Sequence, residues 1–343
     1  MKLRVGVIGL GNAWESRHRG ALRALSDRFE VRAVCAEVAG LARQAAGEFG
    51  ADLVGGFRAL ASREDVEAVL VLSPDWYGPL PILAACDAGK AVYCASPLDL
   101  DLRRSDEVRQ RVEESGVAFM VEFPRRHAPA TVRLRELIAT KLGQPWLLLC
   151  HGRDSQAGAD ELRSTGSRYR PPTEDPGSQS MVEMIDWCSY IADGSVNTVT
   201  ASDHAQGRTD RHWRRIQLEF DTPEQLVAHL HHGRTVPEGW EEAESFRAPA
   251  ELQVSCEKGV AFLDLPATLV WFDEAGRHVE KLDRDRPVGE QMLTLFHRCV
   301  TSLVRNIDSL EDSCRALRLM QAAEQSLEAG GKISFDDETD GSH

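Results

Sequence analysis

The feature that most constrains this chain is its opening run, Leu3-Arg4-Val5-Gly6-Val7-Ile8-Gly9-Leu10-Gly11-Asn12-Ala13-Trp14. Val5, Val7 and Ile8 form a short apolar run, long enough for one buried strand, and Gly9 and Gly11 follow at once. The next segment lacks Pro, and Ala21, Leu22 and Leu25 give it an apolar face. Strand, Gly-x-Gly turn and helix is the order that binds a dinucleotide pyrophosphate. The glycines let backbone come close, and the helix N-terminus offers free N–H groups and positive dipole charge. The third glycine of G-x-G-x-x-G falls at position 14, where the residue is Trp14. Trp14 either caps the site and stacks on a ligand, or packs between the first helix and a neighbouring loop.

The rest of the first half alternates. Apolar runs predict strands at 31–35, 66–72, 91–94 and 117–121, with helices at 41–49, 80–89 and 102–115. Strands separated by helical patterns mean βαβ units and a parallel sheet. Ligands of such sheets sit at the carboxyl ends of the strands. The cofactor-binding candidates are therefore Gly9, Gly11, Asn12, Ala13 and Trp14, then Glu37, then Ser73, Pro74 and Asp75, then Ala95 and Pro97, and last Glu122.

Past Pro124 the pattern changes. A long helix is predicted at 130–142, a strand at 146–150, a long loop at 154–177 and a helix at 178–191. Strands then cluster at 198–202, 214–220, 225–231, 250–255, 259–264 and 268–272, before closing helices at 291–306 and 313–328. The expected fold is α/β: an N-terminal Rossmann domain with a doubly wound parallel sheet over 1–123. It is followed by an α+β domain with an open, mostly antiparallel sheet over 124–336, and an acidic tail at 337–343.

Bulk properties narrow the function. The net charge of −14 argues against a nucleic-acid partner. No run approaches the ~18 apolar residues of a membrane span, and the start shows no secretory pattern. Eight cysteines stand singly, without a C-x-x-C pair, as in a reducing, cytoplasmic compartment. His229-Leu230-His231-His232 has the look of a metal pattern, but no Asp, Cys or further His stands at a supporting spacing, so no metal is expected. Neither a G-x-S-x-G elbow nor a P-loop lysine motif occurs.

Taken together, the landmarks resemble the Gfo/Idh/MocA oxidoreductases. They are the run Val5 to Gly11, His18-x-x-Ala21-Leu22, Ser73-Pro74, the stretch Ala88 to Cys94 leading to Pro97-Leu98, Phe123-Pro124-Arg125-Arg126, and the helix around Ala322 to Ser326. The resemblance implies NAD or NADP as cofactor, a sugar- or polyol-like ligand, and a homodimer or homotetramer formed through the C-terminal sheet. It also marks departures. The lysine of the family's Glu-Lys-Pro motif, which helps move the substrate proton, is Ser96 here. On the helix that carries Asp-x-Gly-x-His-x-x-Asp, the first Asp is Gln179, the His is Glu183, and the last Asp is kept as Asp186. Spacings of four and three residues put these side chains on one helix face. The ribose-binding Asp after the second strand is Ala36, with Glu37 beside it, and a further family His is Gly78. Fitting the first turn needs one extra residue before His18.

Candidate catalytic residues are thus Glu183, Gln179, Asp186 and Ser96. Glu183 reads as a substituted general base with a carboxyl raised by burial against Trp187, as a hydrogen-bonding pocket residue, or as a surface glutamate. Arg125-Arg126, with Arg153 and 163–170, reads as a receiver of an anionic substrate or as a solvated basic patch. The expected function is an NAD(P)-dependent oxidoreductase with a degenerate active site and weak or altered hydride transfer. The alternatives are an active reductase or dehydrogenase that uses Glu183, and a non-catalytic nucleotide-sensing or interaction protein.

Overall fold

The structure is a computed structural model. It describes residues 2–11, 13–73, 77–95, 102–152, 176–205, 212–234, 240, 242, 246, 248–302 and 308–335. Among them the chain divides into two compact units. One holds 2–124 and 286–315; the other holds 125–152, 176–285 and 316–335.

The first unit is built on strands β1 (Leu3–Ile8), β2 (Phe29–Cys35), β3 (Asp52–Leu53), β4 (Ala68–Val71), β5 (Ala91–Cys94) and β6 (Phe119–Val121). They form a parallel sheet in the order β3-β2-β1-β4-β5-β6. Val5, Val7, Val34, Val69, Val71 and Val92 are fully buried, as a sheet covered on both faces requires. The covering helices include α1 (Arg19–Ala24), α2 (Ala39–Phe49), α3 (Phe57–Ala61), α4 (Leu80–Asp87) and α5 (Leu102–Ser115). β3 and α3 escape sequence reading because they are too short for a periodic signal. Leu60 of α3 is nevertheless buried against Gly6, where a Cβ would collide with its side chain.

Ahead of α1, residues Trp14–His18 form a π-turn. The His18 N–H donates to the Ala13 carbonyl (3.1 Å), and the Arg19 N–H to that of Trp14. A π-turn takes up one residue more than an α-turn, which is the extra residue that the alignment before His18 demands. Trp14 lies in the apolar core with 7% exposure, and its ring meets Phe49 of α2 edge-on at 6.0 Å. Of the two sequence readings of Trp14, the packing one matches this placement, with α2 rather than a loop as the neighbour.

The second unit opens with α6 (Pro129–Leu137), which passes into a π-turn at Ile138–Leu142 instead of running on as one helix to 142. Next come β7 (Pro145–Gly152), α7 (Pro176–Ala192), β8 (Val196–Ala205), β9 (His212–Phe220), β10 (Val227–Arg234), β11 (Leu252–Cys256), β12 (Gly259–Asp264), β13 (Thr268–Asp273) and β14 (Gly276–Lys281). With β15 (Ile333–Ser334), following helices α8 (Val288–Thr301) and α9 (Asp308–Ala329), they give a sheet in the order β14-β13-β12-β11-β7-β10-β9-β8-β15. The β7–β10 pair is parallel and the other pairs are antiparallel. α7 packs on β7 and β10, where Leu148, Cys150, Ala228 and Leu230 are fully buried. No described helix is long and apolar enough to cross a membrane.

α8 differs from expectation. Met292, Leu293 and Phe296 join the core of the Rossmann unit, where Phe296 meets Tyr93 at 5.4 Å. The span 124–336 is thus not one continuous domain, because 286–315 returns to the first unit.

Replacing Trp14 tests the reading of this core. Trp14→Ala is expected to lower the unfolding free energy by about 3–5 kcal/mol in denaturant melts. A loss within about 0.5 kcal/mol, the range of surface substitutions, would contradict it.

Candidate functional site

In the first unit the strand order reverses between β1 and β4, and this is where a doubly wound sheet opens a crevice. Gly9 turns the chain with φ of 77°. A Cβ on Gly9 would stand 2.5 Å from the Ser73 Cβ, and one on Gly11 would overlap the Leu72 carbonyl oxygen. The glycines are there because the end of β4 passes directly against the turn. Ser73 is buried, and its Oγ has no hydrogen-bond partner among the described residues. An orphaned hydroxyl beside a glycine turn at a switch point fits an anionic ligand such as a pyrophosphate.

The other candidates on this edge divide. Ala13 precedes the π-turn and accepts the Arg17 and His18 N–H groups. Ala95 follows β5, half-buried, and donates its N–H to Val71. Glu37 is half-buried beyond β2, close enough to Tyr77 for its charge to help push that phenol up, after burial and Cys35. Tyr77 also meets Phe57 edge-on at 6.0 Å and has no counterpart in the sequence reading. Asn12, Pro74, Asp75, Ser96 and Pro97 lie outside the described residues.

Glu122 is engaged within its own unit. Its carboxylate is fully buried and held by consecutive residues of the π-turn. Arg17 Nε lies 2.5 Å from Oε1, and His18 Nε2 lies 2.8 Å from Oε2. Burial, and then the Glu122 charge, raise the Tyr93 phenol well above its ordinary value. A carboxylate engaged in this way anchors the end of β6 to the start of α1. The sequence showed both partners but not their pairing, since 104 residues separate His18 from Glu122.

In the second unit two neighbouring arginines meet two carboxylates one turn apart on α7. Arg126 binds Asp186 with both prongs: Nε donates at 2.7 Å, and Nη2 donates to the other oxygen. Asp186 is only 2% exposed and is held by this pair. Arg125 Nε lies 3.7 Å from Glu183 Oε2, and its Nη1 donates to Glu251 at 3.2 Å. Its Cζ stands 5.3 Å from the Trp187 ring. The Glu183 side chain is 27% exposed and faces a cation, not simply the apolar wall of Trp187. Of the arginines read together from the sequence, Arg125 and Arg126 are half-buried and paired with acids. Gln179 sits on α7 within 176–192, one turn before Glu183, with its side chain outside the description. Arg153 and 163–170 also lie outside it.

Residues 3–123 match the model of the oxidoreductase family Gfo/Idh/MocA, NAD-binding Rossmann fold. Over these residues the chain carries the NAD-binding Rossmann domain of that family. Inositol 2-dehydrogenase of Salmonella paratyphi B is 27% identical over 203 residues, which cover 58% of this chain and 57% of that protein. Inositol 2-dehydrogenase of Cereibacter sphaeroides is 33% identical over 177 residues, 50% of this chain and 49% of the relative. The chain thus spans about half the length of these relatives. The crystal structure of an oxidoreductase from Thermotoga maritima superposes with a TM-score of 0.78 at 18% identity, covering 97% of this chain and 98% of that one. At that identity the likeness is one of fold.

Against the Gfo/Idh/MocA pattern, Gly78 stands where the sequence comparison puts a family histidine. Its φ of 59° is one that a side-chain-bearing residue rarely adopts. The histidine run of β10 is a sheet-face feature. His151 of β7 stacks on His231 at 5.3 Å, with His229 and Trp213 beside it. No cluster able to hold a metal occurs among the described residues. Burial first, then His151, His229 and Arg215, lower His231 from 6.5 to about 4. Between these values the unfolded chain binds the extra proton. Stability is therefore fully present above 6.5 and is lost as pH falls toward 4. His231→Gln is expected to flatten that part of the stability–pH curve in denaturant melts. An unchanged slope would remove His231 from the acid response.

Proposed function

We propose that this chain is an NAD(P)-dependent oxidoreductase acting on a sugar- or polyol-like alcohol, with Glu183 taking the substrate proton in place of the family histidine. The observation that carries the reading is the glycine turn at the β1–β4 switch point, with the unpartnered Ser73 hydroxyl against it. The turn at Gly9 and Gly11, Ser73 and the start of the π-turn would hold the pyrophosphate, with Glu37 and Tyr77 near the adenosine end. The bound nicotinamide would supply the hydride acceptor or donor. The inositol dehydrogenase relatives support a cyclic polyol as substrate class.

Glu183 is the remaining candidate for proton transfer on α7, since Asp186 is bound to Arg126. The second unit would pair with another copy through its half-exposed sheet face, around Leu149, Phe262 and His229, as a dimer or tetramer. Eight free cysteines suit a reducing, cytoplasmic setting.

A second reading is a non-catalytic nucleotide sensor. It is favoured by Ser96 at the lysine position and by Gln179 and Glu183 at the other two. General acid–base help is worth ~10²–10⁴-fold, so an intact scaffold without it could bind and not turn over. Formation of reduced nicotinamide with a panel of inositols, polyols and sugars separates the readings. The enzyme reading expects turnover that Glu183→Gln lowers by at least ~10²-fold. Saturable nucleotide binding without turnover on any member would favour the sensor, and an unaffected rate in Glu183→Gln would remove Glu183 from the mechanism.

A further inference from the structure

We infer that Arg125 is the positioning residue that keeps Glu183 a proton acceptor, fixing both the orientation and the charge of its carboxylate. The inference rests on the reading of Glu183 as the group that takes the substrate's hydroxyl proton. It supplies what that reading lacks: a reason why a glutamate at this place would act as a base.

The guanidinium is clamped by groups that are themselves fixed. Glu251 accepts from Arg125 Nη1 at 3.2 Å while its other oxygen accepts the Leu265 N–H at 3.3 Å. The Trp187 ring, 5.3 Å from Cζ, is pinned by its own Nε1–H donating to Thr131 at 3.1 Å. Held in this way, Arg125 turns its Nε toward Glu183 Oε2 at 3.7 Å. An arginine does not lose its proton in a protein. Burial works against its charge here, but Glu183, Cys150 and Glu251 more than compensate, and the cation is held more firmly than in water. Glu183 therefore faces a permanent positive charge.

Among the described residues, other charged or titratable groups also lie near the pair. Asp186 and Arg126 bind each other one turn further along α7. Cys150 of β7 and Cys188 of α7 are buried free thiols, and Cys188 is pushed well above its ordinary value by its hydrogen bond with Cys150 and then by burial. His232 of β10 is buried beside Met184 and Gly152.

The step that follows balances as an alcohol oxidation. Oxidised nicotinamide is the oxidant. The alcohol carbon gives up hydrogen with its electron pair, the O–H bond breaks, its electrons form the carbonyl, and the proton passes to the Glu183 carboxylate. In the reverse direction the same carboxyl would have to be protonated beside Arg125, which the pairing disfavours.

The test is the pH profile of kcat/KM for oxidation in wild type, Arg125→Met and Arg125→Lys. Losing the cation should move the acidic limb up by roughly one to three pH units, while Arg125→Lys should keep it near the wild-type position. A uniform loss of rate with an unmoved limb would mean a merely structural role and overturn the inference. If Arg125→Met does not fold, Glu251→Gln serves instead. Removing the competing carboxylate should strengthen the hold on Glu183 and move the limb down, and no movement or an upward one overturns it. An NMR titration of isotope-labelled glutamate, with Glu183 identified by its absence in Glu183→Gln, reads the same shifts without nucleotide or turnover. It therefore tests the pair even where the oxidoreductase reading fails.

Discussion

The contact on which the first unit depends is the passage of Leu72 and Ser73, at the end of β4, directly against the turn at Gly9 and Gly11. There is no room for a Cβ on either glycine. The same contact brings β1 and β4 together at the point where the sheet order reverses, and it leaves the Ser73 hydroxyl unpartnered at the mouth of the turn. A sheet covered on both faces leaves few places where backbone N–H groups and an unused hydroxyl can meet a ligand. The turn is such a place, so the packing contact and the proposed binding site share one geometry.

How much of this was legible from residues alone varied with the range of the interaction. The parallel sheet of the first unit follows from local apolar runs such as Val5 to Ile8 and Ala68 to Val71, and the antiparallel cluster of the second follows from strand spacing. Short elements with no period, such as Asp52–Leu53 and Phe57–Ala61, did not show. Long-range pairings were hidden for a stronger reason. Nothing local to His18 says that its partner is Glu122, and nothing local to Arg125 says that its partners are Glu183 and Glu251. For Trp14 the sequence left packing and ligand contact open, because position 14 matters in the dinucleotide motif, and the π-turn that carries its ring into the core has no local signal. The return of α8 to the first unit was also invisible, since an amphipathic helix does not name the surface it covers.

These long-range pairs change the reading of the chemistry. Read alone, the loss of the family lysine and histidine suggests a scaffold stripped of proton transfer. In the structure the acids are sorted. Asp186 and Glu122 are spent on buried ion pairs that hold elements together, while Glu183 stays partly exposed beside an arginine. Breaking a buried pair by removing one partner typically costs about 3–5 kcal/mol, so these two acids are tied into the packing. On the proposed reading, Glu183 with its cationic neighbour is the carboxylate that would accept the substrate proton.

The central claim is that the crevice at the glycine turn still holds a dinucleotide. Thermal unfolding in the presence of NAD, NADH, NADP and NADPH measures this most directly, because it needs no substrate. A dinucleotide at about 100 times its Kd adds about 2.7 kcal/mol to the folded state, so at least one of the four should raise the midpoint by several degrees. No shift with any of them would contradict the account.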